Sequence, residues 1–198
     1  MLLLVLILFI NVSRGFIGNS GVRQTRVDLI RSTLSLKSSS SSVEDLRSLI
    51  NEAGQIGISV DPDLVSKIIT VVDGLPQTVN PTEIKLTGTH ELLFSMAKGG
   101  SNGKLGPFVG KVNQIFLDEI NFINQVTLGP LKVQLLATRE IIDTERIRVK
   151  FKKMKFILFG RTLKESETKG SGVWKLRYFE NGLRIMDTPS LFVIREVN

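Results

Sequence analysis

The chain has one histidine and no cysteine, and these two counts restrict its chemistry before any pattern is considered. Without cysteine there is no disulfide, no thiolate metal ligand and no cysteine nucleophile. One histidine excludes a multi-histidine metal centre and leaves a Ser–His–Asp arrangement a single candidate, His90. His90 sits beside Glu91, and neighbouring residues of a strand point to opposite faces, so the two are badly placed as a dyad. The adjacent carboxylates Asp118 and Glu119 fall in a turn, with nothing that marks either for general acid work. The run Gly99-Gly100-Ser101-Asn102-Gly103-Lys104 lacks the Gly-Lys-Ser/Thr ending of a phosphate loop, and Leu105 follows its lysine. It reads as a flexible hairpin tip. No catalytic residue, metal or cofactor is expected, and the chain does not read as an enzyme.

Two patterns suit binding better than catalysis. Arg146, Arg148, Lys150 and Lys152 alternate with Ile147, Val149 and Phe151, which on a strand sets four cations on one face. Such a row is either the wet outer face of a barrel or a contact for anionic lipid, where each surface cation contributes about 1 kcal/mol. RNA is the weaker expectation, because exposed aromatics do not interleave with these cations. The second pattern is eleven Phe against one Tyr and one Trp, which brings bulk without a polar handle. At alternating positions these rings make either a filled core or the wall of an apolar ligand cavity.

Periodicity says which elements would carry these residues. Val43, Leu46, Leu49, Ile50 and Ala53 recur at helical spacing, with Ser42 as cap and Gly54 and Gly57 as stops. Asp61-Pro62-Asp63 starts a second helix, whose face is Leu64, Val65, Ile68, Ile69 and Val72. Asn80-Pro81-Thr82 opens a short turn. From Thr89 the period becomes two. Alternating series include Leu92-Phe94-Met96, Phe108 to Phe116, Ile120 to Leu128, Leu131 to Ala137, Ile147 to Phe151, and Phe156-Leu158. Trp174-Leu176-Tyr178, Leu183-Ile185 and Leu191-Val193 complete them, with Asn181-Gly182 as a hairpin turn and Gly170-Ser171-Gly172 as a further link. No strand–helix–strand rhythm is present, so a parallel sheet is not expected. The predicted fold is mainly β, an antiparallel barrel of eight or nine strands preceded by two short N-terminal helices. Eight strands closed on themselves leave room for one small ligand.

The N-terminal part has a different character. Leu2 to Ile10 are nine consecutive apolar residues, short of the ~20 needed to span a bilayer and suited to a signal peptide over 1–15. Residues 16–42 are rich in Arg and Ser and hold one acid, Asp28, as in a disordered transit peptide. Five bases and one acid in 1–42 account for more than half of the net charge of +7. The remaining chain is only mildly basic, and no nucleic acid is expected as a partner. A signal followed by a transit segment opening on Phe16 resembles the bipartite leaders of algae with secondary plastids.

Three stretches of the remaining chain, 43–198, carry a further resemblance. They are Leu86-x-Gly88-x-x-Glu91-Leu92-Leu93-Phe94-Ser95 with the preceding Asn80-Pro81-Thr82, then Gly106-Pro107-Phe108-Val109-Gly110-x-Val112-x-Gln114-x-Phe116, and finally Gly172-x-Trp174-x-x-x-Tyr178 with Leu183-Arg184-Ile185 and Leu191-Phe192-Val193-Ile194. Together and in this order they resemble the plastid lipid-associated protein (fibrillin) family. His90 stands where that family usually carries Trp. The resemblance implies a lipocalin-like barrel over 88–198 behind a helical preamble over 43–82. It also implies a plastid location, reached here by the bipartite leader, at plastoglobules or thylakoids. The implied partners are apolar lipids: a carotenoid, a quinone or an acyl lipid. On that reading Phe116, Phe151 and Trp174 line the barrel, and Arg184 sits at the barrel end or near a ligand head group. The alternatives are a coat protein of lipid bodies without an internal ligand, or a barrel isomerase.

Overall fold

The computed structural model describes residues 31–197. The signal peptide expected over 1–15, and the transit segment as far as residue 30, lie outside the described residues. Helix α1 spans Arg31–Ala53 and helix α2 spans Pro62–Gly74. Helix α1 thus begins well before the expected Ser42. No Gly or Pro interrupts Arg31–Ala53, so nothing in the backbone stops the helix earlier. Gly54, at φ +72°, ends it in the left-handed conformation that favours glycine. Helix α2 starts as expected: the Asp61 carboxylate accepts the Asp63 N–H and Pro62 fills the first turn.

Ten strands follow, in order β1 (Gly88–Ser95), β2 (Lys104–Leu105), β3 (Phe108–Val109), β4 (Lys111–Phe116), β5 (Asn121–Leu128), β6 (Leu131–Ile141), β7 (Arg146–Leu158), β8 (Arg161–Glu180), β9 (Leu183–Asp187) and β10 (Leu191–Val197). Eight of them close into an antiparallel barrel in the order β1-β10-β9-β8-β7-β6-β5-β4, and β2 and β3 form a small separate hairpin. Strand β1 closes the ring, pairing with β10 along one edge and β4 along the other.

Several links differ from their expected form. Phe108 does not continue into β4: it belongs to the small hairpin and is 60% exposed. The Gly99–Asn102 segment is a 3-10 turn and not a free hairpin tip. Asn102 is fully buried there, and its amide donates to Ala97 O at 2.8 Å. Gly170-Ser171-Gly172 is not a link either but lies inside β8. Gly170 pairs with Phe151, and a Cβ on it would stand 3.2 Å from that ring, so the glycine makes room for the aromatic. Strands β7 and β8 are joined at Phe159-Gly160, and β8 and β9 at Asn181-Gly182 as expected, and all four residues have positive φ. Strand β8 pairs with β7 along most of its length but with β9 only from Lys175 onward. Ahead of Lys175 one of its flanks therefore has no strand beside it among the described residues.

Two cores result. The barrel interior holds Leu92, Phe122, Val133, Leu135, Val149, Met154, Phe156, Trp174, Met186 and Ile194. The second core lies outside the barrel, where Leu46, Ile50, Ile68 and Val72 of the helices pack on Phe94, Tyr178, Leu183, Ile185 and Val193. Strands β9 and β10 are covered on both faces, which is why Leu183-Arg184-Ile185-Met186 and Leu191-Phe192-Val193-Ile194 are buried without interruption. Leu46 is fully buried in the outer core. Leu46→Ala is expected to destabilise the fold by about 2–5 kcal/mol, read as a lower urea midpoint.

Candidate functional site

The barrel encloses a cavity of about 660 Å³, within the range of about 300–1,000 Å³ usual for small-ligand sites. Its wall is mainly apolar: Leu92, Val112, Val126, Leu135, Phe151, Trp174, Met186, Phe192 and Ile194. Alternation along antiparallel strands produces this wall, because every second residue of β4 to β7 points inward. Its rim is polar, formed by Lys98, Gly100 and Ser101, by Ser171 and Gly172, and by Thr188 and Ser190. Two inward amides, Gln114 of β4 and Asn124 of β5, sit opposite each other in register and also line it.

Beyond Gln114 the closed end of the barrel is filled by rings and guanidinium groups. His90 meets Phe116 edge-on with centroids 5.2 Å apart, Phe116 stacks on Phe122 at 5.5 Å, and Phe122 meets Trp174 edge-on at 5.8 Å. Arg184 stands over the Phe116 ring at 5.3 Å and Arg139 at 5.9 Å. Arg184 donates from Nη2 to Gln114 Oε1, while its Nε is buried without a partner. Burial, and then the neighbouring Arg139, push its pKa down to about 9, so it keeps its charge at neutral pH. Arg139 donates from Nε to Glu119 O at 2.5 Å, and burial lowers its pKa too.

Of the residues expected to line the barrel, Phe151 and Trp174 do so. Phe116 does not line the cavity but packs in the closed end, and Arg184 lies there too, over the Phe116 ring and bonded to Gln114. His90 does no work with Glu91. It is buried, with Nε2 3.0 Å from Thr87 O, while Glu91 pairs with Lys111 and Arg195 on the outer face. Asp118 caps its own turn through Ile120 N and Asn121 N, and Glu119 pairs with Lys85 at 2.9 Å. Gln114, Asn124 and Arg139 were not singled out from the residues. The available signal was an amide or a cation in the inward phase of an otherwise apolar alternation.

The basic row lies on the outer phase of β7, as alternation requires, and one member, Arg148, also borders the cavity. Arg146 pairs with Asp143 at 2.6 Å, and Arg148 and Lys150 share Glu140 at 3.6 and 2.9 Å. Lys152 is exposed at the bulge between Phe151 and Lys153. The row therefore presents less net charge than its four cations suggest, and pairs this exposed add little stability.

Among the described residues no cluster of His, Asp or Glu could hold a metal ion, and no helix is long and apolar enough to cross a membrane. Compared with known protein families, curated proteins and solved structures, the chain shows no match.

The closed end has a consequence for pH dependence. Burial, and then the charge of Arg184, lower the His90 pKa below 6.5, against the opposing pull of Thr87 O and Glu196. The folded protein therefore binds fewer protons here than the unfolded chain. Stability from this site is fully present above the unfolded pKa and declines as pH falls below it. His90→Phe is expected to flatten the stability profile between about pH 7 and 5, measured by urea unfolding across that range.

Proposed function

We propose that this protein binds an apolar lipid inside its barrel. A carotenoid, a quinone or an acyl lipid suits the cavity, and the chain works without catalysis. The observation that carries the reading is the 660 Å³ cavity with its mainly apolar wall and polar rim. The plastid setting, at plastoglobules or thylakoids, rests on the fibrillin-like motifs and on the resemblance of residues 1–42 to a bipartite leader. Mixing the full chain with plastid lipid extract is expected to yield a protein–lipid complex in native mass spectrometry. Binding should also change the emission of Trp174, the only tryptophan in the chain, which lines the cavity. An unchanged mass and an unchanged emission would remove the cavity reading.

A second reading is docking on a lipid surface with nothing inside the barrel. It is favoured by the β7–β8 turn, where Phe159 is 79% exposed and Leu163 is 60% exposed beside the exposed Arg161. Under this reading Phe159→Asp lowers flotation with anionic liposomes several-fold, and equal flotation of the two proteins counts against it.

A further inference from the structure

The closed end of the barrel contains an imbalance of charge. Arg184 is 3% exposed, and its neighbours are Phe116, Gln114 and a second cation, Arg139. Among the described residues it forms no ion pair with a carboxylate, and the polar contact made by its guanidinium is the bond to Gln114 Oε1. A buried guanidinium of this kind normally has an anion beside it, because a charge taken out of water is costly unless compensated. His90, which is near enough to feel the Arg184 charge, offers no negative charge in return.

Gln114 connects this charge to the cavity. Its side chain lines the cavity and its carbonyl oxygen is taken by Arg184. What it has left to offer a ligand is its NH2 group, a donor made stronger by the cation bonded to the other end of the same amide. Asn124, directly across the β4–β5 ladder, adds a second amide to the same part of the cavity. A polar floor backed by positive charge thus lies under an apolar chamber. An apolar ligand without a head group would leave these donors unmatched at a cost.

We infer that the cavity takes a long-chain carboxylate, with its head group on the Gln114 and Asn124 amides and Arg184 behind them as counter-charge, and its chain along Leu135, Phe151, Trp174 and Phe192. The inference rests on the cavity-binding reading above and narrows it from apolar lipids in general to an acidic lipid.

The test uses the full chain and follows Trp174 emission during titration with palmitate and with methyl palmitate, at about pH 8, where the acid is ionised. Palmitate is expected to bind at least about tenfold more tightly than its ester. Asn124→Leu and Gln114→Leu should each weaken palmitate binding while leaving the ester unchanged, and Asn124→Leu leaves the Arg184 bond in place. Equal affinity of wild-type protein for acid and ester overturns the carboxylate inference and leaves the cavity reading standing. Binding of neither overturns both.

Discussion

Closure of the sheet through β1 is the constraint on which the rest of the molecule depends. A strand of eight residues, Gly88–Ser95, pairs with β4 on one side and β10 on the other. Once the ring is closed, alternation divides every strand into an inside and an outside. Leu92 then faces the cavity. Past the bulge between Leu92 and Phe94, Phe94 faces outward, where the helices cover it. The bulge in this one strand lets a single short segment serve both cores.

The two ends of the interior are chemically unlike each other. Toward the closed end, aromatic rings alternate with guanidinium groups, and each cation has a ring face beside it. Toward the open end the wall is aliphatic and aromatic, and polar groups are confined to the rim. Gln114 stands between the two zones and belongs to both. His90 is compatible with this arrangement because, neutral and placed edge-on to Phe116, it behaves as a small aromatic ring. It adds no further positive charge to an end that already holds two arginines.

The residues alone revealed the fold class, both helices, and the phase of the strands that are buried on one face only. Where alternation did not apply, the reading went astray for an identifiable reason. The first half of β8 is exposed or half-exposed along its length, so no apolar phase marks it as a strand, and its glycines looked like a link. Strands β9 and β10 have the opposite condition, buried on both faces, and Arg184 is hidden inside such a run. Its bond to Gln114 joins residues seventy positions apart, and periodicity within a strand carries no information about which partner lies across the barrel. The cavity was accessible only as one of two alternatives, since the same inward rings could have met and filled it.

Among the described residues, the half of β8 ahead of Lys175 has a laddered neighbour on one side only. Ser171, Gly172 and Val173 on that half, with Thr188, Pro189 and Ser190 across from them, bound one side of the cavity mouth. Among the described residues no sheet ladder joins these two flanks, whereas opening the wall elsewhere would unzip one. Passage of a molecule through this side is therefore a matter of displacing side chains and a short loop. For a barrel that held a ligand, the rate of such passage would be separable from the free energy of unfolding.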